Sequence, residues 1–276
     1  MIDEPAGIAG VTVRRVESLP ERLDAAVRVG PFSSARPGLL LRVVPGTGRF
    51  LARDGNVLEY WVEPGADPLA VEALLHGGVL GALIHQRGDL PLHATTLVCP
   101  SGSFAVALAG HSGAGKSTTA YELVRRGWTI VSDDLTRVSL EKGVPLAWPG
   151  RSRLRLLPDA CRDFGLDPAE LASAPKRLGK YIVDLPRWQD PIALSAVVAL
   201  ERSEAALEVL AVSGAARTAV LAEHTYRPHY VAALGRTVEH FRLVAATAGF
   251  TKVLRLQGAA SVREVADVVA AAACEH

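Results

Sequence analysis

The sequence predicts an α/β fold, and three observations carry that prediction. Apolar strands and helical segments alternate through the middle of the chain, and a glycine-rich segment, Gly110 to Thr118, lies between such a strand and a helix. Short extended stretches broken by proline and glycine precede them, which is typical of a small antiparallel β unit. At 276 residues the chain is long enough for one large core with a smaller appendage.

Composition excludes several classes of protein. With 30 basic and 29 acidic side chains, the net charge is only +1, so no general field draws the chain to nucleic acid or anionic lipid. Cys99, Cys161 and Cys274 lack the spacing of a disulfide framework or a zinc site. The start, MIDEPAGIAG, is unlike a secretory signal, and no apolar run approaches the roughly 20 residues needed to span a bilayer. We therefore expect a soluble, cytoplasmic protein with no nucleic-acid or membrane partner.

The N-terminal part divides into a β unit and a helix. Residues 1–66 are predicted as the β unit, with a hairpin turn at Asp54-Gly55-Asn56. Asp67 is suited to cap a helix and Pro68 to occupy its first turn, so a linking helix is expected over 67–87. Its Gly77-Gly78 pair indicates close packing against a neighbour. The domains predicted are thus 1–66 and 67–276.

The next elements are expected in the order strand, loop, helix and strand, as a βαβ unit requires. The stretch LHATTLV reads as a strand, FAVALAG as a second strand, and WTIVS as a third that ends at Asp133-Asp134. A helix is expected over Lys116 to Arg126. Further strands are predicted near 195–201, 206–212 and 251–256, and helices near 214–223, 228–248 and 261–273, the last with a capping box of Ser261 and Glu264.

The glycine-rich segment matches the P-loop pattern GxxxxGK[ST] at Gly110, Gly115, Lys116 and Ser117. In such a loop the backbone N–H groups and the helix N-terminus face phosphate oxygens. We expect Lys116 to reach the β- and γ-phosphates of ATP and Ser117 to bind Mg²⁺. The predicted nucleotide-binding residues are Gly110, His111, Ser112, Gly113, Ala114, Gly115, Lys116, Ser117 and Thr118.

Two carboxylates, Asp133 and Asp134, follow the strand WTIVS. In open α/β sheets such a strand end faces the ligand crevice. Side chains of adjacent residues leave the strand in different directions, so one can meet a metal ion while the other meets a substrate hydroxyl. The alternative is that one of the pair only caps the following loop.

The stretches LPLHATTLV, AGHSGAGKST and RRGWTIVSDDLTRV together resemble the core of the HPr kinase/phosphorylase superfamily, over about residues 88–200. The resemblance implies a P-loop kinase core of the HPr kinase/PEP carboxykinase-like type. It also implies that Asp133 is the base, that Asp134 is a metal ligand together with Ser117, and that His93 orients or tunes the base. The implied catalytic residues are Asp133, His93 and Lys116, although His93 also fits a buried strand position.

The sequence departs from the bifunctional enzymes of that family. Thr118 replaces their acidic residue, and PGRSRLRLLPD replaces their downstream motif. The chain is more similar to a divergent branch that includes lasso-peptide precursor kinases. In the replaced stretch Arg151, Arg153 and Arg155 alternate, which suits either phosphate binding or a charged edge strand. A second basic cluster, Lys176, Arg177 and Lys180, lies in a loop that contacts transferred phosphate in the family.

These observations predict a phosphotransferase. The function expected is transfer of the γ-phosphoryl group of ATP to a serine or threonine hydroxyl of a peptide or protein, with a ribosomal peptide precursor as one such acceptor. A kinase of free serine and a nucleotide-binding regulatory module without transfer stay open, because all three share the phosphate-binding loop. Family members often form oligomers, so a homo-oligomer also stays open.

Overall fold

The computed structural model describes residues 10–174 and 179–274. The chain forms two compact units: Met1–Pro91 with Thr225–Val244, and Leu92–His224 with Ala245–His276. Their bounds differ from the division at residue 67, because the helical segment after Asp67 belongs to the first unit. The described structure is mixed α/β with several sheets.

The first unit is built on a six-stranded sheet, counted over the described residues, in the order β1-β6-β5-β4-β3-β2. The turn at Asp54-Gly55 is confirmed, with φ angles of 50° and 71° that suit a tight hairpin. The expectation of a wholly antiparallel unit is wrong for β1, which pairs parallel with β6. The strands are β1 (Thr12–Arg15), β2 (Val27–Arg28), β3 (Ser33–Arg36), β4 (Leu39–Val44), β5 (Gly48–Arg53) and β6 (Val57–Val62).

The expected helix over 67–87 is present but interrupted. Asp67 caps it by accepting a hydrogen bond from the Leu69 N–H, as its sequence predicts. A π-helical turn, Leu75–Val79, separates α1 (Pro68–Leu74) from α2 (Leu80–Arg87), and Gly77 lies outside helical φ/ψ. A Cβ atom at Gly77 would lie 3.1 Å from the Tyr226 hydroxyl oxygen. The close packing predicted for these glycines is therefore confirmed within the unit.

This same segment also corrects the expectation about apolar runs. Pro68–Arg87 is long and apolar enough to cross a membrane by length and composition, with a mean hydropathy of 1.4 over its most apolar window. Yet 61% of that window is buried inside the protein, as in a core helix of a folded domain. The other described helices of the first unit are α6 (Tyr230–Ala233) and the first part of α7 (Thr237–Phe250); the single helix predicted over 228–248 is thus divided near Gly235.

The second unit carries the glycine-rich segment on a sheet in which β10, β8, β9, β16, β18 and β17 are successive neighbours. The pairs β9–β16 and β16–β18 are parallel, whereas β8 is antiparallel to both β9 and β10. A hairpin of β11 and β12 joins the start of β16. The strands are β7 (Leu90–Leu92, at the boundary of the units), β8 (Ala94–Val98), β9 (Ala105–Ala109), β10 (Thr129–Ser132), β11 (Thr136–Glu141), β12 (Val144–Trp148), β16 (Ile192–Ala206), β17 (Glu208–Val212) and β18 (Lys252–Ala259).

The order strand, loop, helix and strand is confirmed by β9, the glycine-rich loop, α3 (Lys116–Arg125) and β10. Because β8 is antiparallel to both of its neighbours, β9 and β10 run in the same direction on either side of it. Their carboxyl ends therefore reach the same edge of the sheet. Gly127 follows α3 with a φ of 89°, as predicted for the residue after a helix.

A three-stranded sheet of β13 (Arg153–Leu156), β15 (Tyr181–Asp184) and β14 (Ala172–Ser173), counted over the described residues, lies in the same unit. The remaining helices are α4 (Pro158–Asp163), the 3₁₀ turn Pro168–Glu170, α5 (Ala215–Glu223) and α8 (Val262–Cys274). The capping box before α8 is confirmed by reciprocal hydrogen bonds between Ser261 and Glu264. The buried cysteines Cys99 and Cys161 are both free thiols.

The core of the second unit holds the loop-bearing strand in place. Side chains of β8, β9, β16 and β18 pack with those of α3 and α8, including Leu108, Leu123, Val198 and Leu256, which are at most 4% exposed. Burying such side chains contributes about 1.5–3 kcal/mol each. The sheet edge that carries the loop is thus attached to a rigid layer.

Glycine is required at Gly48, where φ is 149° and a Cβ atom would overlap the Trp61 carbonyl oxygen of the β5–β6 ladder. We expect Gly48→Ala to lower the free energy of unfolding by more than about 3 kcal/mol, or to prevent folding of the first unit. Gly46 is the control, because its φ is 71° but a Cβ atom there meets nothing within 4 Å. Gly46→Ala should cost only about 1–2 kcal/mol. Equal losses in urea unfolding would contradict the prediction.

Candidate active site

A polar cavity of about 230 Å³ opens at the shared carboxyl edge of β9 and β10. Among the described residues its lining carries four cationic side chains and two carboxylates, so it is suited to a strongly anionic ligand. It is lined by His93, Ser112, Gly113, Gly115, Lys116, Ser117, Thr118, Asp133, Asp134, Arg155, Leu157, Lys180 and Arg202.

The loop between β9 and α3 has its shape because glycine stands at its tightest positions. A Cβ atom at Gly110, whose φ is 143°, would lie 2.7 Å from the Leu200 carbonyl oxygen of β16. Gly113 and Gly115 have φ angles of 91° and 95°, which L-residues with side chains rarely adopt. The loop therefore turns sharply beside β16 and presents the first turn of α3 to the cavity.

Lys116, the first residue of α3, folds back over the loop. Its Nζ atom lies 2.6 Å from the Gly110 carbonyl oxygen, 3.2 Å from that of His111 and 3.4 Å from His93 Nε2. An ammonium group has three N–H donors, and each is directed at one of these acceptors. Burial lowers the pKa of Lys116, and the charges of Asp134 and Asp133 oppose that shift. The ammonium group is thus held by the loop and by His93 at the wall of the cavity.

His93 connects this lysine to the second aspartate. Its Nδ1 atom lies 3.0 Å from the Asp134 carbonyl oxygen, which can only accept a hydrogen bond, so Nδ1 carries the proton. In the neutral ring Nε2 then accepts from Lys116. Burial lowers the pKa of His93 despite the charge of Asp134, which favours this neutral form. The structure thus brings the sequence-predicted His93 into contact with Asp134 and Lys116.

Asp133 is the buried member of the pair. Its backbone N–H donates to the Arg151 carbonyl oxygen, and the Thr95 hydroxyl donates to its Oδ1 atom at 2.6 Å. Burial and the neighbouring charge of Asp134 raise the pKa of Asp133 to about 6, although the Thr95 hydrogen bond acts in the opposite direction. A carboxylate with a pKa in this range is matched to proton transfer near neutral pH.

Asp134 differs from its neighbour in both backbone and charge. Its φ of 68° is unusual for a residue with a side chain. Its Oδ2 atom accepts a hydrogen bond from the Arg155 guanidinium at 2.8 Å, and its Oδ1 atom lies 3.4 Å from His93 Nδ1. Burial alone would raise the pKa of Asp134, but Arg155, His93 and Lys116 hold it below its ordinary value. The two carboxylates therefore have separate roles available, one readily protonated and one ionised.

The basic residues predicted from the sequence divide into two groups. Lys180 lines the cavity, as expected. Arg151 and Arg153 are not in its lining: Arg151 holds Asp133 through its main chain, and Arg153 pairs with Asp184 on β15. The alternation does place an arginine at the site, but it is Arg155. Lys176 and Arg177 lie outside the described residues.

Three of the predicted loop residues also lie outside the lining. Gly110 and His111 contribute carbonyl oxygens to Lys116, and Ala114 packs against the core of the unit. The His111 ring lies beside that of His224, and its Nε2 atom is 3.5 Å from Glu223. The remaining loop residues of the prediction, Ser112, Gly113, Gly115, Lys116, Ser117 and Thr118, are gathered at the cavity.

Sequence analysis did not identify Thr95, Arg202 and Leu157 as site residues. Thr95 is on β8 and follows His93, which directly precedes that strand, by two positions; each contacts one of the aspartates. Arg202 belongs to β16, whose parallel pairing with β9 brings it to Gly115. Leu157 is 53% exposed although it is apolar. The pairing of β9 with β16 is the signal that would have found Arg202, and it is not visible in the sequence.

The donor atoms suit a hard cation with few protein ligands. Ser117 and Asp134, the predicted Mg²⁺ ligands, both line the cavity. Among the described residues there is no group of three or more His, Cys, Asp or Glu side chains that could hold a metal ion by itself. Magnesium in phosphate-transferring proteins is typically held by one or two protein oxygens together with phosphate oxygens and water. The chemistry of the lining therefore fits Mg²⁺ bound with a phosphate.

Comparisons with known proteins give a distant likeness. No protein-family model matches the sequence, and the search of curated proteins finds no similar protein. Among solved structures, the HPr(Ser) kinase/phosphatase from Coxiella burnetii is similar over 66% of this chain and 94% of that chain, with 11% identity and a TM-score of 0.35. At this level the likeness assigns neither a family to this chain nor a role to any of its residues.

The raised pKa of Asp133 means that its ionised form destabilises the folded protein. The difference between 3.8 and about 6 corresponds to a cost of about 3 kcal/mol once the carboxylate is ionised in both states. We expect Asp133→Asn to raise the melting temperature of the metal-free protein at pH 8 in the presence of a chelator. The gain should shrink as the pH falls from 6 towards 4, because the wild-type carboxyl becomes protonated and its cost disappears.

Asp184→Asn is the control for that measurement, since Asp184 is an exposed carboxylate paired with Arg153 outside the cavity. It should show no such pH-dependent gain. Calorimetric scans between pH 4 and 8 give the comparison. A melting temperature for Asp133→Asn that is equal to or below that of the wild type at pH 8 would contradict the proposed cost.

Proposed function

We propose that this protein is an ATP-dependent kinase that transfers the γ-phosphoryl group to a serine or threonine hydroxyl of a peptide or protein. The observation that carries the proposal is the placement of Lys116, Asp133 and Asp134 around one cavity, at the meeting of a glycine-rich loop and a strand end. This arrangement supports the P-loop kinase reading of the sequence.

Phosphate binding follows from the groups of the loop and of α3. The backbone N–H groups at the start of α3 and the Lys116 ammonium provide donors and positive charge for the phosphate oxygens. In this role Lys116 exchanges its contacts with the loop carbonyl oxygens for contacts with phosphate. Mg²⁺, held by Ser117 and Asp134, would supply further neutralisation of phosphate charge.

Asp133 is assigned as the base. Its Oδ1 atom is held by Thr95, so the orientation of the carboxylate is fixed before a substrate binds. As the acceptor oxygen forms its bond to phosphorus, the proton of the acceptor hydroxyl passes to Asp133, and the bond from phosphorus to the bridging oxygen of ADP breaks. The pKa of about 6 leaves Asp133 mostly ionised, and able to accept a proton, at pH 7.

Arg155 and Lys180 are assigned to the phosphoryl group in transfer. Both line the cavity, and Arg155 is fixed by its hydrogen bond to Asp134. Cations placed in advance around the phosphoryl oxygens stabilise the charge that spreads over them in the transition state. Neutral His93 contributes by positioning: it holds Lys116 and the main chain of Asp134 without adding a charge.

The class of acceptor is suggested by the mixed lining of the cavity. Leu157, which is 53% exposed, lines the cavity together with Arg155 and Lys180. A peptide brings apolar atoms next to its hydroxyl that can cover Leu157, whereas free serine does not. This supports a peptide or protein acceptor, with a ribosomal peptide precursor suggested by the sequence resemblance.

The test is incubation with Mg²⁺ and γ-labelled ATP, with serine-containing leader or precursor peptides, HPr or free serine, followed by mass spectrometry. We expect label on a peptide or protein hydroxyl. Asp133→Asn should lower the rate by about 10²–10⁴-fold while it leaves ATP affinity nearly intact, because the nucleotide phosphates are held by other groups. Asp184→Asn, the carboxylate control, should transfer phosphate at the wild-type rate.

Two results would overturn parts of the proposal. Label on free serine and on no peptide or protein would make the protein a small-molecule kinase. Binding of ATP without transfer of its phosphoryl group to any acceptor would favour a nucleotide-binding regulatory module. Asp133→Asn would then leave ATP affinity nearly intact and would have no phosphorylation to abolish.

A further inference from the structure

A second cavity, of about 380 Å³, lies on the other side of the start of α3 and entirely within the second unit. Its walls come from α3, from the end of α4 and from the segment that connects β18 to α8. We call it the base cavity. It is lined by Thr118, Glu122, Arg125, Asp163, Phe164, Ala260, Ser261, Val262 and Arg263.

The strand order places Asp133 and the base cavity on opposite sides of the loop. β10, which ends just before Asp133, lies on one side of β9, and β16 and β18 lie on the other. A triphosphate with its terminal phosphate near Asp133 can extend across the loop towards β16 and β18. The base cavity is on that side, because residues 260–263 directly follow β18.

The two cavities share one lining residue. Thr118 lines both the cavity at the glycine-rich loop and the base cavity. Another cavity on the same side is lined by Leu200, Arg202 and Gly258, but its volume is only about 30 Å³. Since one water molecule requires about 10–15 Å³ of such volume, that space holds about two waters and no base. The base cavity is within the size range of ligand pockets, about 300–1,000 Å³.

The lining of the base cavity suits a flat aromatic ligand. The Phe164 ring is half-buried and packs against Tyr121, with ring centroids 4.7 Å apart, so its position is fixed from behind. The Arg125 guanidinium lies 5.7 Å from the Phe164 ring centroid and 3.5 Å from Glu122. Aromatic rings and guanidinium planes are the groups on which nucleobases stack.

We propose that the base cavity binds the nucleoside part of the substrate nucleotide, with the base against Phe164. The inference rests on the proposed function, since it needs the triphosphate to lie in the first cavity. It assigns to Phe164 and Ala260 a role in nucleotide affinity that is separate from the phosphate contacts of Lys116 and the Mg²⁺ contact of Ser117.

The experiment compares two ligands by calorimetric titration in the presence of Mg²⁺: ATP, and inorganic tripolyphosphate, which has the phosphates but no nucleoside. Wild type should bind ATP at least tenfold more tightly than tripolyphosphate. Phe164→Ala should weaken ATP binding by about 5- to 100-fold and leave tripolyphosphate binding unchanged. Phe250→Ala, which removes an exposed phenylalanine elsewhere in the second unit, should change neither.

A second variant guards against damage to the packing of Phe164. Ala260→Trp fills the base cavity while Phe164 stays in place, and it should weaken ATP binding to the level of tripolyphosphate. Unchanged ATP affinity in Ala260→Trp, or equal affinities of the wild type for ATP and tripolyphosphate, would overturn the inference and leave the proposed function standing. Failure of the wild type to bind either ligand would instead overturn the proposed function.

Discussion

The arrangement of the site depends on one electrostatic constraint, the placement of two carboxylates side by side at a mostly buried strand end. Asp133 and Asp134 cannot both be ionised there at low cost unless cations stand close to them. Arg155 and Lys116 provide that charge, and Thr95 and His93 provide hydrogen bonds. The contacts come from β8, β13 and α3, so elements distant in sequence must converge on the aspartates. Asp134 itself has an unusual φ of 68°, a backbone conformation that costs free energy for a residue with a side chain.

The different roles of the two aspartates follow from this environment. Burial and the charge of Asp134 raise the pKa of Asp133, whereas Arg155, His93 and Lys116 hold the pKa of Asp134 below its ordinary value. Two identical residue types thereby acquire different proton affinities from their surroundings alone. Neutral His93 fits the scheme, since a charged imidazole beside Lys116 would place two cations in contact. The proposed roles use this asymmetry: Asp133 would accept the proton of the acceptor hydroxyl, and Asp134 would bind Mg²⁺.

The sequence predicted the parts of the site that are local in the chain, and it was less successful with those set by strand pairing. The glycine-rich loop, Lys116, the strand end at Asp133 and the cap at Asp67 are written in short motifs with fixed spacing. Arg151, Arg153 and Arg155 alternate, so the choice among them depended on which position along the chain reaches the cavity, and only the three-stranded sheet decides this. Arg202 and Phe164 required the positions of β16 and α4 relative to α3. The π-helical turn at Gly77 and the parallel pairing of β1 likewise depend on tertiary packing, which overrides local preference.

The three-stranded sheet is not part of the sheet that carries the glycine-rich loop, and this has a consequence for how the acceptor can change during evolution. Arg155 and the exposed Leu157 are on β13 or just after it, and Lys180 directly precedes β15. In the described chain β13, β14 and β15 pair with one another, apart from the ladder of β8, β9 and β16 that supports the loop. The exposed side chain of Leu157 can therefore change without disturbing the hydrogen bonds beneath Lys116, the pairing of Arg155 with Asp134 or the packing of Phe164. After gene duplication, selection at this one position offers a short evolutionary path to a new acceptor, with the residues that bind the nucleotide inherited unchanged.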